Sequence, residues 1–159
     1  MIERNFLMLQ LPATIGAGLI AGTFFCFSSF VMPALARLEP TQGIAAMQKI
    51  NITVINPLFM AVLFGTAVLY LLQAFVACRS GLDTPALCWL IAAMFYVVGT
   101  IGTTIVFNVP LNDELAKLTP TVGDVAFWSR YVRAWTVWNS LRGVAATVAC
   151  AVSIWAIAA

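Results

Sequence analysis

The chain is 159 residues long, 62% hydrophobic and 9% charged, with a formal net charge of +2, four cysteines and no histidine. Against the roughly 25% charged residues of soluble domains, this composition excludes a soluble globular fold and describes one membrane-embedded domain over residues 1–159. Histidine-held haem, histidine-ligated zinc or copper and a histidine general base are excluded as well, and the sequence lacks the basic cluster that a nucleic-acid partner requires.

Uncharged runs cover residues 5–36, 50–78, 84–112 and, interrupted only by Arg142, 134–159. A helix needs about 20 apolar residues to cross a bilayer, so an all-α integral membrane four-helix bundle is predicted. Helix 1, about 6–36, is too long for the apolar part of a cleaved signal and reads as a retained span. In it, Gly18 and Gly22 form a GxxxG beside Ala13, Ala17 and Ala21. That spacing predicts close backbone contact inside the bundle, with a homo-oligomer through this face as the alternative. Pro33 is expected to kink or end this helix. Residues 44–51 read as an amphipathic extension leading into helix 2, about 53–78.

Cys78 and Cys88 flank the next loop and form a bridge only if that loop faces an oxidising compartment. Cys26 and Cys150 read as small buried hydrophobes. Thr84 as N-cap and Pro85 in the first turn start helix 3, about 85–108, and Pro110 stands near its end as Pro33 does in helix 1. Residues 124–133 lead in the same amphipathic way into helix 4, about 132–158. Trp128, Trp135 and Trp138 suit an interfacial aromatic belt.

Arg37, Lys49, Lys117, Arg130 and Arg133 lie on the side of the two longer loops, against Arg4 and Arg79 on the other. The positive-inside rule places those loops in the cytoplasm of a multi-pass protein of the cell (inner) membrane, surrounded by lipid.

The chain also repeats itself. Leu35-Ala36-Arg37-Leu38-Glu39-Pro40-Thr41-Gln42-Gly43 returns as Leu115-Ala116-Lys117-Leu118-Thr119-Pro120-Thr121-Val122-Gly123, with six identities in nine. Gly22-Thr23, Phe30 and Pro33 match Gly99-Thr100, Phe107 and Pro110, and Thr53-Val54-Ile55-Asn56 matches Thr136-Val137-Trp138-Asn139. Two helical hairpins, about 15–78 and 92–159, are expected to be related by a pseudo-two-fold axis along the membrane normal, each opening its interfacial segment with Pro-Thr-x-Gly. In this register Arg142 faces Phe59, so the charge breaks the symmetry.

Polar residues gather at the long-loop end: Ser28 and Ser29 on helix 1, Asn51 and Asn56 on helix 2, Asn108 and Asn112 on helix 3, Asn139 and Arg142 on helix 4. Amides in hydrocarbon are costly unless hydrogen-bonded, so four helices offering them at one depth predict a shared polar cavity. Trp135, Asn139, Arg142 and Ala146 fall on one helix face. The bland readings are capping for Asn56 and Asn139, repair of backbone around Pro110 for Asn108 and Asn112, and snorkelling for Arg142. No acid lies in a predicted span, so no carboxylate metal centre or proton-coupled carboxylate is expected, whereas an arginine among amides suits stabilisation of a phenolic or enolic oxyanion.

Gly22-Thr23 through Pro33, Asn56-Pro57, Asn108-x-Pro110-x-Asn112 and Trp135-x-x-Trp138-Asn139-x-x-Arg142, with the four-span layout, resemble the anthrone oxygenase family of small membrane proteins. The resemblance covers nearly the whole chain and implies oxidation of an anthrone, a small aromatic substrate, by dioxygen without a cofactor or metal. It implies catalytic roles for Arg142, which would stabilise the enolate, and for Asn139 and Asn108, which would position hydroxyls or a peroxide. Trp135 would stack on the rings, with Asn56, Asn112, Ser29 and Tyr131 around the substrate. The proton acceptor is left open among water, Asp113 and Tyr131. A non-catalytic bundle that binds or transports a small amphipathic molecule is the alternative reading, and a purely structural subunit the third.

Overall fold

The computed structural model describes residues 2–81, 83–119 and 125–159, so the second Pro-Thr-x-Gly, at 120–123, lies outside the described residues. Helix α1 (Ile2–Cys26) runs on through a π-helical turn (Phe27–Val31) to Met32–Leu35, and α2 is Pro40–Thr53. Helix α3 is Pro57–Ser80; α4 begins as Thr84–Met94, carries π-helical stretches at Phe95–Gly102 and Thr104–Asn108, and finishes as Val109–Ala116; α5 is Val125–Ala158. Four segments are long and apolar enough to cross a membrane: Met8–Leu35, Pro57–Arg79, Thr84–Ala116 and Val125–Ala158. The protein is an all-α, multi-pass membrane bundle. The spans form a closed ring in which α1 packs on α3 and α5, and α4 on the same two helices. Their outer faces expose Ile15, Phe25, Phe75, Val98 and Val144, an apolar surface suited to lipid.

Neither expected proline break occurs as a helix end. The chain widens to a π turn just ahead of each proline, where Met32 N–H donates to Phe27 O and Val109 N–H to Thr104 O, five residues back. Proline has no N–H and its ring collides with the carbonyl four residues earlier; the wider turn removes the collision without ending the helix. The two π turns occupy equivalent places in the repeat register.

The break comes elsewhere. The amphipathic stretch before the second span is a separate helix, α2, because Asn56 turns out of helical conformation (φ −120°, ψ 156°) ahead of Pro57. A residue before proline is pushed from the α region, and here its side chain caps α3 by accepting from Phe59 N–H at 3.0 Å. The matching stretch of α5 has no proline and runs unbroken. At the start of α4 the cap is Asp83, accepting from Ala86 N–H at 2.9 Å, rather than Thr84, which lies inside the first turn.

Close packing falls on other glycines than the GxxxG pair. A Cβ at Gly18 would make ordinary contact with Cys150 and one at Gly22 would meet open space, whereas one at Gly99 would come to 2.7 Å from Ala145 and one at Gly43 to 2.6 Å from Trp128. The tight approaches are therefore α1 on α3, where a Cβ at Gly16 would collide with Thr66, together with α4 on α5 and α2 on α5. Trp128, expected at the lipid interface, is instead buried under α2. All four cysteines are free, so Cys78 and Cys88 form no bridge.

Candidate functional site

Trp135, Asn139, Arg142 and Ala146 are all buried on one face of α5, as their spacing requires. Arg142 is 7% exposed. Its Nε and Nη2 donate to Asn139 Oδ1 at 3.1 and 2.8 Å, and its Nη1 donates to Thr104 Oγ1 at 3.1 Å. A guanidinium has five N–H donors; three are engaged and two have no hydrogen-bond partner among the described residues. The guanidinium carbon lies 4.1 Å from the Phe24 ring centre and 5.2 Å from that of Trp135. Among the described residues no carboxylate pairs with it; the ion pair there, Arg130–Glu114 at 3.6 Å, joins two exposed side chains. Aromatic faces offset part of the cost of burying a cation, about 2 kcal/mol when desolvated. They do not supply a counter-charge.

The geometry depends on both π turns. Thr104 begins the second one and donates its hydroxyl proton to Thr100 O at 2.8 Å, leaving the oxygen to accept from Arg142. Thr100 in turn donates to Arg142 O at 3.1 Å, tying α4 to α5 at the level of the charge. On the other side, fully buried Asn139 donates Nδ2 to Phe24 O at 2.7 Å and to Ser28 Oγ at 2.8 Å, the latter at the first π turn. Asn139 is thus a positioning residue with both ends of its amide engaged.

Beside Arg142 opens a cavity of about 230 Å³. Thr23, Phe24 and Phe27 of α1, Phe59, Met60 and Leu63 of α3, Thr104 and Asn112 of α4, and Trp135 and Arg142 of α5 form its walls. Helix α2 lies over it with Met47, Ile50 and Asn51. Ile55, Phe64 and Val109 line it and are also exposed, so the cavity reaches the outer surface of the bundle there.

Arg142, Trp135 and Asn112 meet at this cavity as the sequence predicts. Asn112 Oδ1 accepts from Trp135 Nε1 and from Tyr131 OH, each at 2.9 Å. Tyr131 itself is fully buried behind Asn112, stacked on Trp128, and off the cavity lining. Asn108 is buried against α5, donating to Trp135 O at 3.3 Å; its Oδ1 has no hydrogen-bond partner, and it too is off the lining. Asn56 caps α3 at an exposed position off the cavity lining, since Pro57 turns it out of helical conformation. Ser29 faces outward and donates to Phe25 O; the neighbouring Ser28 touches the site instead, because the π turn rotates the face. Asp113 is exposed and off the lining. Thr104 and Phe24 had no mark in the sequence, since a threonine and a phenylalanine in a span are ordinary. Asn51 was visible only as one more interfacial amide.

The fold and site define a class: a small multi-pass membrane protein with an aromatic-walled cavity and an unpaired buried cation. The chain belongs to the anthrone oxygenase family, whose model matches residues 49–152, and this carries an oxygenase-type role at the level of the family. That stretch holds every expected site residue except Ser29. No curated protein and no solved structure matches the chain.

Proposed function

We propose that the protein is a membrane-embedded, cofactor-independent oxygenase acting on a polycyclic hydroxyaromatic such as an anthrone, with Arg142 stabilising the enolate oxygen. The observation that carries this reading is a buried, carboxylate-free guanidinium with two uncommitted donors beside an aromatic-walled cavity. A buried charge without a partner is strongly unfavourable, and a substrate that becomes anionic during reaction supplies the partner when the transition state needs it. Cavities of about 150 Å³ hold benzene, so about 230 Å³ suits a larger fused ring system.

Loss of a methylene proton from an anthrone makes an enolate. This carbanion equivalent passes electrons to dioxygen, one oxygen atom stays on the carbon, and the other leaves as water with two hydrogens, giving the anthraquinone. Asn139 holds the guanidinium, and Trp135 supplies a ring face. Of the candidate proton acceptors, Asp113 is off the lining and Tyr131 is committed to Asn112, which favours water.

The test is oxygen uptake by the reconstituted protein given an anthrone. Arg142→Ala should lower kcat about 10²–10³-fold, the usual effect of removing an oxyanion donor, with helicity retained. Undiminished uptake by folded Arg142→Ala sinks the proposal. The cavity's opening at the outer surface of the bundle favours a second reading, a carrier of small amphipathic molecules, which predicts ligand flux without oxygen consumption.

A further inference from the structure

The guanidinium and the amides of the cavity stand apart. Arg142 with Thr104 forms one group and Asn51 of α2 with Asn112 of α4 the other; Thr23 also lines the cavity, its hydroxyl spent on Leu19 O, and the remaining walls are apolar, with Phe27, Ile50, Phe59 and Met60. Trp135 spans the gap: the guanidinium carbon is 5.2 Å from its ring centre, while its Nε1 is 2.9 Å from Asn112 Oδ1. The seven residues from Trp135 to Arg142 rise about 10 Å, so both groups lie within reach of one rigid ligand.

Asn112 carries more than a structural role needs. Two donors, Tyr131 OH and Trp135 Nε1, occupy its Oδ1 and fix which way the amide faces. Its Nδ2 has no partner among the described residues, and the side chain lines the cavity. An acceptor alone would have satisfied Tyr131 and Trp135. A free N–H pair beside an apolar cavity is unfavourable unless something accepts from it. Asn51, a cavity-lining residue of α2 whose side chain is hydrogen-bonded to the Tyr131 hydroxyl, adds a second amide at the same end. One amide pair offers both a donor and an acceptor, which is the complement of a hydroxyl group.

Building on the hydroxyaromatic reading above, we infer that the cavity recognises two oxygens on one fused ring system. The first is the oxygen that becomes anionic, at Arg142; the second is a neutral hydroxyl on the remote ring, held by Asn112 and Asn51. These two asparagines are specificity residues, distinct from the group that meets the reacting oxygen. Ligands lacking the remote hydroxyl leave the amides unpaired, and polar sites discriminate most strongly against analogues that leave buried groups unsatisfied.

A double-mutant cycle between protein and ligand tests this. The full chain in detergent is titrated, by quenching of its tryptophan fluorescence, with a monohydroxyanthraquinone and with its counterpart carrying one more hydroxyl on the remote ring. In the wild type the added hydroxyl should tighten binding about five- to tenfold, the worth of one hydrogen bond. In Asn112→Leu and in Asn51→Leu the gain should fall below about twofold, with the simpler ligand still bound. Asn51→Leu leaves the Tyr131 and Trp135 bonds to Asn112 in place and carries the test should Asn112→Leu fail to fold. An equal gain in wild type and Asn51→Leu overturns the inference while leaving the proposed function standing. Absence of binding of either ligand to the folded wild type overturns both.

Discussion

Asn56 and Asn139 hold equivalent places in the two halves of the chain and serve different partners three residues on. In the first half Asn56 Oδ1 accepts from the backbone N–H of Phe59; in the second, Asn139 Oδ1 accepts from the guanidinium of Arg142. The residue that follows each one decides the difference. Pro57 breaks the helix and turns Asn56 into a cap at an exposed position, whereas Ser140 lets α5 continue, so Asn139 stays buried and both ends of its amide become free for tertiary bonds. One half therefore has a helix break between α2 and α3, and the other a continuous helix that carries the charge. Where two stretches of sequence match, continuity of one helix redirects a side chain that its counterpart spends on capping.

The comparison is most forcefully broken by Ser140→Pro, which imposes the first half's interruption on α5. A proline inside a helix costs about 3 kcal/mol or more. Thermal unfolding in detergent should shift far downward, and any folded fraction should consume no oxygen; a stable, active variant would mean that the unbroken helix does not aim Arg142. Next in size is Asn139→Leu, close to asparagine in shape but without an acceptor. The guanidinium should lose its orientation and kcat should fall about 10–100-fold with KM within about twofold, the pattern of an interaction that matters in the transition state. Asn139→Asp, which restores an acceptor oxygen, should recover part of that loss, and a merely structural role would leave the split between kcat and KM unmoved. The smallest effect belongs to Asn56→Ala: about 1 kcal/mol for a lost cap, seen as a drop of a few degrees in the melting temperature, with oxygen uptake unchanged. If Asn56→Ala abolished uptake as Asn139→Leu should, the two asparagines would not have diverged.

The buried face of α5 was legible because helical spacing alone places Trp135, Asn139, Arg142 and Ala146 together, and because a lone charge in an apolar span stands out. The gathering of amides at one depth likewise pointed to the cavity that Asn51 and Asn112 line. Ser28 was exchanged for Ser29, since a π turn adds a residue to the turn and rotates everything after it. Gly43 and Gly99 outrank Gly18 and Gly22 as close-contact positions because which helices approach is settled by the whole ring, not by one helix's motif.

Composition and pattern by themselves determined a four-span, all-helical membrane protein, the absence of histidine chemistry and the singular place of Arg142. These follow from local rules: length of apolar runs, periodicity, and the cost of charge in hydrocarbon. Only the tertiary structure decided that Asn139 holds the arginine, that Thr104 and Phe24 complete its surroundings, and that α2 roofs the cavity. Those outcomes rest on hydrogen bonds and ring contacts between residues far apart in the chain, and such partners are chosen by packing geometry.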